Sequence, residues 1–183
     1  MAKSTSSILV LGLTAVASFS ILFATSLLTA PILANQENQR YLDLLNLDSL
    51  GEYEPGEVII PTGDLLTSGM TEIKPFYLND QLAAVVYAGR TRGFSASTDI
   101  IFRLGIREGI ITKFIVDANG ESAGYGANVL VNVPDALENL TIEEESIWTA
   151  SLVSISTGST ITRRGIINVL KAIRTDYMER MGS

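Results

Sequence analysis

Near the C-terminus the chain reads Thr157-Gly158-Ser159-Thr160-Ile161-Thr162, then Arg163-Arg164 and an amphipathic stretch. For such a segment to carry a phosphate-linked group, a threonine hydroxyl must be exposed and reachable. Gly158 lets the backbone turn tightly and come close to a phosphate. A helix starting at about Thr162 points free N–H groups and the positive end of its dipole at that phosphate. Arg163 and Arg164 add charge-assisted hydrogen bonds. The same residue types also compose an ordinary helix N-cap.

Two further segments bear on the same chemistry. Gly120-Glu121-Ser122-Ala123-Gly124-Tyr125-Gly126 places three glycines within seven residues. Its backbone can pack against a flat ring, and it also reads as a plain glycine-rich loop. Gly93-Phe94 precedes an apolar run and on its own marks only the approach to a hairpin.

Other chemistries are excluded by composition. The 183 residues contain no cysteine and no histidine. A disulfide, a Cys/His zinc site, a cysteine-held iron–sulfur cluster, a His- or Cys-ligated haem and a Ser-His-Asp or Cys-His nucleophile are therefore impossible within this chain. Lys3 is the only charged side chain before Glu37, so twelve basic and twenty acidic residues follow, a net −8. An acidic domain lacks the basic surface that nucleic acid requires.

The elements that must position these motifs follow from periodicity. Phe76-Tyr77-Leu78 and Leu82–Ala88 flank the turn pair Asn79-Asp80, and Ile100–Ile106 and Ile110–Val116 flank Glu108-Gly109. Both read as β-hairpins, with the β pattern starting at Pro75 and the last strand covered on both faces. Residues 35–50 keep helical spacing and predict a helix ending near Gly51. Residues 51–75, rich in Gly and Pro, predict a linker with short extended pieces such as Val58-Ile59-Ile60. Residues 135–148 read as helical, and Trp148–Ser154 as a last strand. Apolar residues every three or four positions from about Thr162 to Met181 give a closing helix. The expected fold class is α+β, with an antiparallel-rich sheet and a packed C-terminal helix.

From Ser4 to Gln36 no residue is charged, and the apolar run from about Ile8 to Leu33 exceeds the roughly 20 residues that cross a bilayer. A transmembrane anchor is expected there, longer than a signal-peptide core. Small residues such as Gly12, Ala15 and Ser18 run through it. Lys3 on one side and Glu37, Arg40 and Asp43 on the other place the N-terminus in the cytoplasm and the domain outside. The expected organisation is tail and anchor over 1–34, juxtamembrane helix and linker over 35–74, and a folded domain over 75–183.

Taken in order, these motifs resemble the FMN-binding domain family of Rnf electron transport complexes and Na⁺-translocating NADH:quinone reductases. In that family a threonine within a Ser/Thr-Gly-Ala-Thr motif carries FMN through a phosphoester, and a Glu-Thr-Pro-Gly-x-Gly-like segment lies against the flavin. The length is closer to the family's Rnf branch than to its longer quinone-reductase branch. The resemblance implies covalent FMN on Thr160. It places Gly158, Ser159, Thr162 and Arg163 around the phosphate, and Glu121, Ser122, Gly124, Tyr125 and Gly126 around the ring. It implies an electron-carrying component of an ion-translocating redox complex in the cell (inner) membrane, without independent turnover. Its partners would be other membrane subunits and a flavin transferase. Three positions depart from the family: Ala123 replaces the usual proline, Ser159 the usual alanine, and Ser154 an aspartate associated with transferase recognition. Two alternatives stay open, a stand-alone extracellular flavoprotein and an unflavinylated, membrane-anchored assembly or binding subunit of the same fold.

Overall fold

The computed structural model describes residues 2–95, 99–155 and 159–182, and within the first helix only the side chains at 14–16, 18–26, 29 and 36–45. The chain divides into two compact units, residues 1–40 and 41–183. The described part of the first unit, residues 2–40, belongs to α1 (Ala2–Leu45). Among the described residues no helix is long and apolar enough to cross a membrane. Much of the expected anchor, including Ile8–Leu13 and Ile32-Leu33, lies outside the described side chains.

The second unit is an α+β domain built on a meander. Its strands β1 (Glu54–Pro55), β2 (Met70–Leu78), β3 (Gln81–Arg92), β4 (Asp99–Arg107) and β5 (Ile110–Ala118) lie side by side in chain order, each antiparallel to the next. The two predicted hairpins form at the predicted turns. Asn79 and Asp80 stand at φ 52° and 62°, and Glu108 and Gly109 at 52° and 79°. Two consecutive left-handed residues make the turn whose twist matches paired strands, and Asn, Asp and Gly adopt it most readily.

Helix α2 (Asp64–Thr67) is a single turn before β2. After β5 the chain forms α3 (Gly126–Leu137), α4 (Glu145–Ser154) and α5 (Thr160–Met181). These three helices cover one face of the sheet. Val129 and Val133 of α3, Trp148 and Leu152 of α4, and Ile166, Leu170 and Ile173 of α5 pack with Tyr87, Phe102, Leu104 and Phe114. Phe102 and Phe114 stack at 4.8 Å between centroids. A charged group, Asp176, is buried beside this core. Tyr87 donates its hydroxyl to Asp176 of α5 (2.9 Å), and Arg180 donates twice to the same carboxylate (2.6 and 3.0 Å). Burial, followed by the neighbouring Asp176 charge, pushes the Tyr87 phenol well above its ordinary range.

The opposite face is covered by the end of α1. Tyr41, Leu44 and Leu45 pack on Phe76, Ala84 and Val86. Asn46 ends the helix at φ 52°, with Leu47 N–H donating to the Leu42 carbonyl (2.9 Å) and Asn46 N–H to Asp43 (3.3 Å). This paired back-bonding satisfies the last carbonyls and stops the helix. The sheet then holds it. Thr112 Oγ1 donates to the Leu44 carbonyl (2.6 Å), and Arg107 donates to the carbonyls of Leu45 and Asn46 (3.0 and 3.1 Å). The backbone comes so close that a Cβ on Gly105 would lie 2.0 Å from the Leu44 oxygen.

Several expectations are corrected. The helix predicted over 35–50 is the tail of α1 and ends at Leu45, because Asn46 caps it before Gly51. The β pattern begins at Met70, five residues before Pro75, and Val58–Ile60 contributes only an isolated bridge, Ile59 to Ile73. Residues 135–148 are not one helix. α3 starts earlier and closes after Pro134, Asn139 turns the chain at φ 67°, and α4 begins at Glu145. Trp148–Ser154 is helical rather than a strand. Trp148 and Leu152, four apart, share one buried face, and Glu145 sits in the first turn, where a carboxylate favours a helix.

Candidate functional site

The three motifs meet at one end of the sheet. The chain leaves β3 at Arg92 and runs through Gly93, Phe94 and Ser95. It leaves β5 at Ala118 and runs through the glycine-rich loop to α3. α5 starts beside both. Thr162 is fully buried, and its Oγ1 accepts the Phe94 N–H (3.0 Å), tying the first turn of α5 to the Gly93-Phe94 step. Glu121 Oε1 accepts the Ser95 N–H (3.3 Å), tying the glycine-rich loop to the same step. The rings of Phe94 and Tyr125 stack at 5.1 Å with planes 12° apart, and both are exposed (47% and 56%).

Thr160 is the first residue of α5 and is exposed, two residues earlier in the helix than the periodicity predicts. The reason is Ser159. Its hydroxyl accepts the N–H groups of Ile161 and Thr162 (3.1 and 3.4 Å), so the helix is capped one residue before Thr160. Ser159 is buried to 7% exposure, which separates the two neighbouring hydroxyls. One serves the backbone, and the other belongs to an exposed residue. Gly158 lies outside the described residues.

In the glycine-rich loop, Tyr125 N–H donates to the Ser122 carbonyl (3.3 Å), and Gly124 takes φ 85°. A left-handed third residue of a turn favours glycine, and the second position, here Ala123, is where proline's fixed φ fits. Ser122 and Gly124 are exposed, Gly126 is buried, and Glu121 is half-buried.

A groove of about 420 Å³ opens beside Thr160, lined by Val153, Arg163, Arg164, Ile167, Asn168 and Lys171. Arg163 donates through Nη1 to the Val153 carbonyl (2.8 Å), while its Nε is buried without a hydrogen-bond partner among the described residues. Lys171 pairs with Glu145 of α4 (3.0 Å). Periodicity gave no reason to single out Lys171, because a lysine on an amphipathic helix is ordinary. Tyr125 was expected near a ring, but its pairing with Phe94 depends on a contact between two distant loops. Gly165 carried a readable signal, a glycine inside a helix. A Cβ there would lie 2.6 Å from Thr91 Oγ1 and 2.8 Å from the Arg92 carbonyl, so it lets α5 sit against the end of β3. Ser154 is exposed at the end of α4, its hydroxyl turned back to the Ser151 carbonyl (2.6 Å). Among the described residues no group of acidic side chains could hold a metal ion.

No protein-family model matches the chain, and no curated protein matches it.

Proposed function

We propose that this protein is a membrane-tethered electron carrier that holds FMN through a phosphoester on Thr160, as a subunit of an Rnf-type ion-translocating complex. One observation carries the reading. The first turn of α5, the Gly93-Phe94 step and the Glu121–Gly126 loop stand far apart in the chain and are joined by the Thr162–Phe94 and Glu121–Ser95 hydrogen bonds, with Thr160 two residues before Thr162. Their meeting is what a shared ligand would require.

The residues suit that ligand. Thr160 is an exposed residue, as a phosphoester carrier must be. Arg163 has a buried donor without an acceptor among the described residues, and Arg164 shares its groove, so a phosphate on Thr160 meets positive charge in an otherwise acidic domain. Phe94 and Tyr125 offer exposed aromatic surface to a flat ring. FMN, when bound, supplies the redox chemistry. The chain's part is to fix the phosphate, flank the ring and keep the carrier near its partners. No general acid or base is required. Covalent attachment holds the flavin where free FMN is dilute, since a reversible site empties in proportion to its dissociation constant.

The tether is the uncharged run from Ser4 to Gln36 within α1, with the N-terminus cytoplasmic and the domain extracytoplasmic. Membrane subunits of the complex are the electron partners, and a flavin transferase is the maturation partner. Ser154, standing where the family often has aspartate, favours a second reading, an assembly subunit of the same fold without flavin.

Mass mapping of protein from the native host separates the two. The tryptic peptide ending at Arg163 is expected to carry the mass of FMN less one water, with the increment on Thr160 and lost in Thr160→Ala. An unmodified peptide, from cells that flavinylate other proteins, would overturn the carrier reading and leave the assembly subunit.

A further inference from the structure

The carboxylate of Glu121 occupies an unusual place. A Cβ on Gly93 would lie 1.5 Å from its Oε1, and a Cβ on Gly126 would lie 1.5 Å from its Oε2. The group therefore fills a slot between two glycines, where no other residue type leaves room. Those glycines directly adjoin the stacked rings, as Gly93-Phe94 and Tyr125-Gly126. Oε1 accepts the Ser95 N–H from the first loop. Oε2 is buried without a hydrogen-bond partner among the described residues. It lies at the first residue of α3, whose N-cap Tyr125 supplies no side-chain hydrogen bond. The positive end of that helix offsets part of the cost of burying a charge there.

We propose that Glu121 is a positioning residue. Its buried carboxylate staples the Gly93–Ser95 loop to the start of α3, and so holds Phe94 and Tyr125 parallel and exposed as a preformed face for a flat aromatic ligand. The inference rests on reading that pair as the ring face, and it changes the expected role of Glu121, which stands behind the face rather than against the ring. A carboxylate suits the slot because the Ser95 N–H meets one oxygen and the positive end of α3 faces the other. An amide that keeps its oxygen on the Ser95 N–H turns its NH2 donor, without negative charge, toward the positive end of α3.

The test uses the full unflavinylated chain in detergent, with labelled Phe and Tyr rings and nuclear Overhauser contacts as the readout. The Tyr41–Phe76 pair, 5.5 Å apart on the opposite face of the sheet, is the internal control. Glu121→Gln and Glu121→Ala are expected to weaken the Phe94–Tyr125 contact severalfold and leave Tyr41–Phe76 unchanged. A Phe94–Tyr125 contact of full strength in either variant overturns the proposal. If Glu121→Ala also loses the control contact, Glu121→Gln alone decides. A second measurement uses the fact that the three nearest atoms to a Cβ on Gly126 all belong to Glu121. Gly126→Ala should lower the melting temperature by itself and add nothing to Glu121→Ala; an additive double variant overturns the proposal. Neither readout needs flavin. An unmodified Thr160 alongside an intact staple would sink the carrier reading alone, and a flavinylated Thr160 with a staple that fails would sink this proposal alone.

Discussion

The two faces of the sheet are closed in different ways. On one, three helices bury a broad apolar layer from Met70 to Tyr177, with Trp148 fully enclosed and its indole N–H on the Ile142 carbonyl (3.1 Å). On the other, one helix end covers a small patch around Phe76, and polar groups do much of the holding: Thr112, Arg107 and the Lys113–Asp43 pair. Apolar burial grows with area and is indifferent to direction, whereas backbone carbonyls at a helix end need specific donors at specific places. The first face should therefore set global stability, and the second should set where α1 ends and how it is held.

Substitutions can break that contrast. The largest effect is expected for Trp148→Ala, about 3–5 kcal/mol in denaturant unfolding from the lost burial and the cavity. A loss under about 1 kcal/mol would mean that the helical layer is not the main core. Gly105→Ala puts a methyl group against the Leu44 carbonyl and Thr112. It should cost about 1–3 kcal/mol, release the Tyr41–Phe76 contact and leave the Phe102–Phe114 stack in place. If both contacts vanish together, the two faces are one cooperative unit.

Alkali sharpens the same comparison. The folded chain holds the Tyr87 proton that the unfolded chain gives up above about pH 10. Stability is thus present below the ordinary phenol range and falls as pH rises through it. Tyr87→Phe should cost about 1 kcal/mol at neutral pH through the lost hydrogen bond to Asp176, and should flatten the alkaline decline followed by circular dichroism. An undiminished decline would assign it to other groups. The smallest effect is expected at the second face, where Lys113→Ala removes a partly exposed ion pair worth about 0.2–1 kcal/mol. That effect should shrink further in high salt.

Hairpins and the closing helix were legible because their signals are local. Asn79-Asp80 and Glu108-Gly109 are residues that tolerate φ above zero, and Ile166, Leu170 and Ile173 mark a helix face within a few positions. Trp148–Ser154 misled because a ten-residue helix with two buried side chains alternates apolar and polar residues much as a short strand does. The site's parts were readable and their meeting was not. The contact from Thr162 to Phe94 spans 68 residues and exists only once β3 is paired and α5 lies along it. Ser159 had a local signal, since serine before an apolar helix is a cap, and its burial followed from that role. The second face was hidden because its lid is the end of a helix whose preceding residues read as a membrane segment.

The Asn46 stop gives protease sites in this region opposite consequences. A cut within the exposed stretch 36–40 would sever the uncharged run and release a domain with both faces closed. A cut a few residues later, between Leu47 and Gly51, would break the chain on the far side of the cap and leave the lid of the second face held only by its own contacts. Residues 41–46 are therefore the border between a cut that leaves the lid on the domain's own chain and one that detaches the lid from it.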